Sequence, residues 1–136
     1  MQEEASKGAR IAHIGIAVKS ITASLPLLTD ILGLERTAIG NSDGATIAAV
    51  AAGESLVELL EPAGEDTPIG RFIARRGPGI HHICFSVDDL DATLDKCRQA
   101  GIRLIDEVPR IGAEGKRIAF LHPGSTEGIL VELTDR

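Results

Sequence analysis

The chain has 136 residues, 43% of them hydrophobic, enough for one core and too few for two ordinary independent domains. A formal net charge of −6 and a pI near 5.1 exclude the averaged positive surface that nucleic acid or an anionic membrane would attract, although a local basic cluster can still hold an anionic ligand. No stretch approaches the roughly 20 apolar residues of a membrane helix, and with no Trp and no Tyr the chain cannot use a tyrosine as acid, base or radical.

Residues 1–10, MQEEASKGAR, are polar and lack the apolar centre of a signal peptide, so they read as a disordered tail on a cytoplasmic protein whose single domain covers 11–136. The segment His13-Ile-Gly-Ile-Ala-Val18 alternates, with Ile14, Ile16 and Val18 on one face and His13, Gly15 and Ala17 on the other, the pattern of a strand. Ile21, Leu25 and Leu28 then fall at helical spacing, from a start near Ser20 or Thr22 to a stop at Gly33. Pro26 must occupy the first turn of that helix or kink it. Short strands follow at Ala45–Ala51 and Leu56–Leu60, and a linker helix at about 66–77, with Glu65, Asp66 and Pro68 at its start and Arg75 and Arg76 at its end.

The same order then returns. His82-Ile-Cys-Phe-Ser-Val87 repeats the first strand residue for residue, 69 positions on, and Leu90, Leu94 and Cys97 repeat the helical stripe at the same offset. Asp88 or Asp89 caps this helix and Gly101 stops it, and strands at Arg117–Leu121 and Ile129–Leu133 close the half. The reading is an α+β fold of paired βαβββ modules, about 11–62 and about 80–134, forming a cupped mixed sheet. Cys84 and Cys97 lack a C-x-x-C spacing and are expected to be free, half-buried thiols.

Two glutamates complete the repeat. Glu58 in Leu-Val-Glu-Leu-Leu and Glu132 in Leu-Val-Glu-Leu occupy the last strand of each module, and a carboxylate among such neighbours is expensive to bury unless paired or metal-bound. Either histidine alone reads as a polar residue at a strand edge. Repeated in register with two glutamates, His13, Glu58, His82 and Glu132 read as a single metal cage about a pseudo-two-fold axis. Two imidazoles and two carboxylates without a thiolate suit Co²⁺, Mn²⁺, Mg²⁺, Ni²⁺ or Zn²⁺. His81 has no counterpart at the offset, where Ala12 stands.

At these residues the sequence resembles the vicinal oxygen chelate superfamily, and over roughly residues 11–134 it resembles methylmalonyl-CoA epimerases. The similarity lies in His13-Ile-Gly-Ile-Ala-Val18, Glu58-Leu-Leu-Glu-Pro62, Asp66-Thr-Pro-Ile69, Gly79-Ile-His-His-Ile83, Asp106-Glu-Val-Pro-Arg-Ile-Gly112, Phe120-Leu-His-Pro123 and Leu130-Val-Glu-Leu133. The resemblance implies a homodimer, a metal on the four residues above, and inversion of the carbon between a thioester and a carboxylate through an enolate.

Such a reaction needs two acid/base groups. The resemblance makes Glu132 one of them. Some members carry a glutamate where this chain has Ile47 and others an apolar residue, which leaves the partner base unassigned: Glu58 could take the part, and Asp43 is a loop alternative that also reads as a turn former in Asn41-Ser-Asp-Gly44. An acyl-CoA substrate brings phosphates, for which Arg110, Lys116 and Arg117 around a glycine-containing loop are candidates; a solvated charged loop is the other reading. Arg75 and Arg76 are read as complementing a helix dipole. A glyoxalase-like lyase or isomerase would use the same cage. An extradiol dioxygenase fits less well with four protein ligands and no tyrosine, and a non-catalytic ligand-binding module would want more aromatic walls than Phe72, Phe85 and Phe120.

Overall fold

The computed structural model describes residues 8–136. The expected tail falls mostly on residues 1–7, outside the described residues, but its boundary at residue 10 is too late. Arg10 opens the first strand, and the Gly8 carbonyl accepts from Arg136 Nη2 at 2.7 Å. The order βαβββ occurs twice, with one helix between the two occurrences. Two compact units are defined by their internal contacts, one of residues 13–83 and one of residues 84–136 together with 8–12.

In the unit of residues 13–83, β1 (Arg10–Ala17) leads into α1 (Ile21–Pro26), capped by Ser20, whose Oγ accepts from Ala23 N at 3.1 Å. Pro26 is the last α-helical residue, not a first-turn one. It has no N–H for the carbonyl one turn back, and the chain widens over Leu27–Ile31 into a π turn, where Leu32 N bonds Leu27 O at 3.0 Å. The kink foreseen at Pro26 is therefore a change of helical pitch. Then come β2 (Glu35–Ser42), β3 (Ala45–Ala52) and β4 (Ser55–Pro62). Asp43 and Gly44 both have positive φ, 50° and 76°, as a two-residue hairpin turn requires, so Asp43 is the turn former the sequence suggested.

The strand order here is β2-β3-β4-β1, antiparallel except for the parallel β4–β1 pair. That parallel pair sets Gly15 beside Glu58, and β3 sets Ala49 opposite Glu58. α2 (Pro68–Arg76) begins later than the acidic residues: Thr67 is the N-cap, accepting from Gly70 N at 3.1 Å, and Pro68 takes the first helical position, where a missing N–H costs nothing. Arg75 and Arg76 stand in its last turn. Its Ile69, Phe72 and Ile73 pack with Ala17, Ala45, Ile47 and Leu60.

β5 (Gly79–Val87) carries the chain from one unit into the other. α3 (Leu90–Gln99) is capped by Asp89, whose Oδ1 accepts from Ala92 N at 3.0 Å, and Gly101 beyond it has φ 78°. β6 (Arg110–Ile111), β7 (Arg117–Phe120) and β8 (Val131–Asp135) follow, in the order β8-β7-β6. β8 begins two residues later than Ile129, because the preceding turn still holds Ile129 N to Thr126 O at 3.1 Å. Leu121 makes an isolated bridge with Leu104 and does not extend β7.

The core of this unit joins Leu90, Leu94 and Cys97 of α3 to Val87, Ala119, Leu121 and Leu133. Leu94 is 1% exposed. Leu94→Ala is expected to lower unfolding stability by about 2–5 kcal/mol, measured by urea denaturation; a loss under about 1 kcal/mol would mean the helix is not anchored as described.

Candidate metal centre

Among the described residues only five polar or charged residues are buried, and four of them are His13, Glu58, His82 and Glu132. The fifth, Thr134, is satisfied by the Arg117 carbonyl at 2.8 Å. His13 and Glu58 share one face because β1 and β4 run parallel with Gly15, two residues past His13, beside Glu58. His82 Nε2 lies 3.0 Å from His13 Nε2, and His13 Nε2 lies 3.5 Å from Glu58 Oε1. The imidazoles meet edge to face, with ring centroids 5.1 Å apart.

These separations test the donor set. Donors bound to one ion at about 2.1 Å stand about 3.0 Å apart at a right angle and about 3.4 Å apart at the tetrahedral angle. The ligand atoms of His13, Glu58 and His82 all lie within 4.8 Å of one another, and the His13–His82 and His13–Glu58 separations fall in the chelating range. Two ring nitrogens at 3.0 Å need a proton or a cation between them, and a buried carboxylate beside them adds the compensating charge. The three residues can therefore hold a metal ion.

Glu132, 5% exposed, lies in the other unit on β8, opposite Phe120 of β7. The next residue, Leu133, pairs with Ala119 and packs against α3, so Glu132 belongs to the opposite face of that sheet. The same alternation separates the three candidate cations. Arg110 pairs with Ile118 and holds its guanidinium 5.6 Å from the Phe120 ring centroid, on the face that carries Glu132. It also bonds Asp106 Oδ1 at 3.2 Å. Arg117 is out of phase by one residue and belongs to the α3 face, where Asp91 at 2.7 Å and Asp135 at 3.6 Å engage it; that hydrogen bond to Asp91 raises its pKa. Lys116 is exposed in the turn before β7.

Ile47, opposite Leu60 and on the face of Glu58, offers no proton-transfer group there. Cys84 and Cys97 are not joined in a disulfide and are buried, not half-buried, and burial pushes the Cys97 thiol up against the opposing pull of Arg98. Sequence reasoning gave Gly15 no role beyond its place on the strand face of His13 and Ala17, and found no counterpart for His81 at the repeat offset. His81 Nδ1 is 3.0 Å from His82 Nδ1, and its ring stands edge-on to Phe72 at 5.0 Å.

The family model of the Glyoxalase/Bleomycin resistance protein/Dioxygenase superfamily matches residues 12–120. The chain is 38% identical over 128 residues to the ethylmalonyl-CoA/methylmalonyl-CoA epimerase of Cereibacter sphaeroides, covering 91% of this chain and 96% of that one. It is 35% identical over 130 residues to the mitochondrial methylmalonyl-CoA epimerase of Dictyostelium discoideum, covering 93% and 78%. A solved methylmalonyl-CoA epimerase in complex with methylmalonyl-CoA and NH4+ superimposes with a TM-score of 0.87 at 36% identity, over 93% of this chain and 94% of that one.

Proposed function

The chain belongs to the glyoxalase/bleomycin resistance protein/dioxygenase superfamily, and on that premise we propose that it inverts the α-carbon of methylmalonyl-CoA. The observation that carries this reading is the buried cluster of His13, Glu58 and His82 in a chain alike, almost end to end, to CoA-thioester epimerases.

The proton to be moved sits between a thioester and a carboxylate, and inversion requires its removal from one face and its return to the other. Glu132 and Glu58 are the two groups assigned to that work, each a buried carboxylate on the last strand of its module. On this reading His13, Glu58 and His82, with Glu132 as the fourth ligand of the proposal, would hold a divalent ion, Co²⁺, Mn²⁺, Mg²⁺, Ni²⁺ or Zn²⁺, which would supply Lewis-acid stabilisation of the developing enolate charge. Burial of the carboxylates keeps bulk water from competing for the proton and sharpens every charge interaction around it. Conversion of a single epimer of methylmalonyl-CoA into the epimeric mixture, followed by an enantioselective coupled assay, tests the reading; an unchanged epimer after prolonged incubation with the metal-supplemented protein contradicts it.

For the CoA phosphates, Arg110, Lys116 and Arg117 are the candidates, and the strand faces rank them. Arg110 shares the face of Glu132, and Lys116 is exposed in the turn between β6 and β7, whereas Arg117 is engaged by two carboxylates on the other face. A charge-assisted hydrogen bond of about 1.5–3 kcal/mol corresponds to a roughly 10- to 100-fold rise in KM when it is lost. Arg110→Ala is expected to raise KM for the CoA thioester into that range with kcat little changed, and Arg117→Ala to leave KM within about two-fold. Steady-state kinetics on both variants decide it, and a reversed order would remove Arg110 from the substrate.

The reading includes a homodimer in the cytoplasm. Leu27, Ile31 and Leu32, 55%, 75% and 58% exposed, crowd one short segment, more apolar surface than isolated exposed residues require. Two cysteines outside any disulfide suit a reducing compartment. Sedimentation at micromolar concentration is expected to return twice the 14.3 kDa of one chain, and a monomer would refute the dimer.

A further inference from the structure

The imidazole of His82 is constrained on two sides within the unit of residues 13–83. Beneath it lies Gly15. A Cβ on that residue would come within 2.2 Å of His82 Cε1, 2.6 Å of Nδ1 and 2.9 Å of Nε2, distances that no packed side chain tolerates. The ring edge carrying both nitrogens thus occupies the space that any residue other than glycine would fill. On the other side stands His81, with its Nδ1 3.0 Å from His82 Nδ1 and its ring set against Phe72 on the packed face of α2.

The two contacts do different things. Gly15 sets where the ring lies, and so keeps Nε2 at 3.0 Å from His13 Nε2. His81 bears on which nitrogen carries the proton. A neutral imidazole has one N–H and one lone pair, and a nitrogen that ligates an ion must present the lone pair. For His82 Nε2 to do so, the proton must reside on Nδ1, and a hydrogen bond at 3.0 Å then requires His81 Nδ1 to accept it. Metal-bound histidines commonly fix their tautomer by giving the remote N–H to a neighbour. Here that neighbour is adjacent in sequence.

We propose that Gly15 and His81 are positioning residues for His82, the first setting its orientation and the second, as acceptor of its Nδ1–H, setting its tautomer. The inference rests on the reading of His13, Glu58 and His82 as metal ligands. The residues themselves do not repeat, since 69 positions away Cys84 stands for Gly15 and Ala12 for His81.

Calorimetric titration of the metal-free full-length protein with Co²⁺ tests this independently of turnover. Loss of such a partner typically costs 10- to 100-fold in metal affinity. His81→Phe is expected to weaken Co²⁺ binding by about that factor, and His81→Asn, whose side-chain carbonyl can accept the same N–H, to recover most of it. Gly15→Ala is expected to weaken binding at least as much as His81→Phe. Long-range ¹⁵N–¹H spectra of the Zn²⁺-loaded protein should show the His82 proton on Nδ1. Wild-type affinity in His81→Phe, no recovery in His81→Asn, or a bare Nδ1 on His82 would each overturn the role of His81, and wild-type affinity in Gly15→Ala would overturn that of Gly15. Failure of the wild-type protein itself to bind Co²⁺ is a different result: it removes the metal centre, and the inference with it.

Discussion

Glu132→Gln is expected to lower epimerisation of methylmalonyl-CoA by about 10²- to 10⁴-fold, the range typical for removing a positioned acid/base group. The substitution preserves volume and shape at a residue only 5% exposed, so β8 should keep its pairing with Phe120 of β7. What is lost is the ability to accept a proton. Because glutamine can still offer an oxygen, bound metal measured by elemental analysis should fall far less than turnover. A variant that turns over at the wild-type rate would remove Glu132 from the chemistry.

Glu58→Gln separates the two bases. If Glu58 serves the opposite face, the variant should lose α-proton exchange from one epimer while keeping it from the other. Equal exchange from both would leave Glu58 as a ligand only.

His13→Ala and His82→Ala should lose metal and activity together. The reason is geometric: their Nε2 atoms stand 3.0 Å apart beside a carboxylate oxygen at 3.5 Å from His13, so either truncation opens the donor set. The effect should also be visible in stability. An ion that binds only the folded chain adds about 2.7 kcal/mol at a hundred times its Kd. Divalent metal is therefore expected to raise the Tm of the wild type by several degrees and to leave both variants nearly unmoved, read by differential scanning calorimetry. An undiminished rise in His13→Ala or His82→Ala would refute the assignment.

The burial of His13, Glu58, His82 and Glu132 was legible in the sequence because strand alternation and a repeated offset report position without needing a structure. His13 and His82 fall on the polar side of matching strands, and a glutamate between Val and Leu announces an unusual burial. Other features depend on register that no repeat encodes. Arg110 and Arg117 look equivalent in sequence, flanking one loop, yet the β6–β7 pairing puts them on opposite faces. Gly15 carries no side chain to read, and its role becomes visible only when the ring of His82 is found where its Cβ would be. Pro26 signalled trouble in a helix, but whether that trouble becomes a break or a π turn depends on bonds such as Leu32 N to Leu27 O. The late start of β8 likewise follows from a turn held by Thr126.

The most direct measurement is hydrogen exchange at the substrate α-carbon. Methylmalonyl-CoA would be incubated with the protein in D₂O, with divalent metal and again after chelation, and deuterium incorporation followed by NMR or mass spectrometry. Incorporation well above the uncatalysed rate with metal, abolished by the chelator and restored when metal is returned, is the expected result. No incorporation by a protein shown to have metal bound would contradict the proposed reaction.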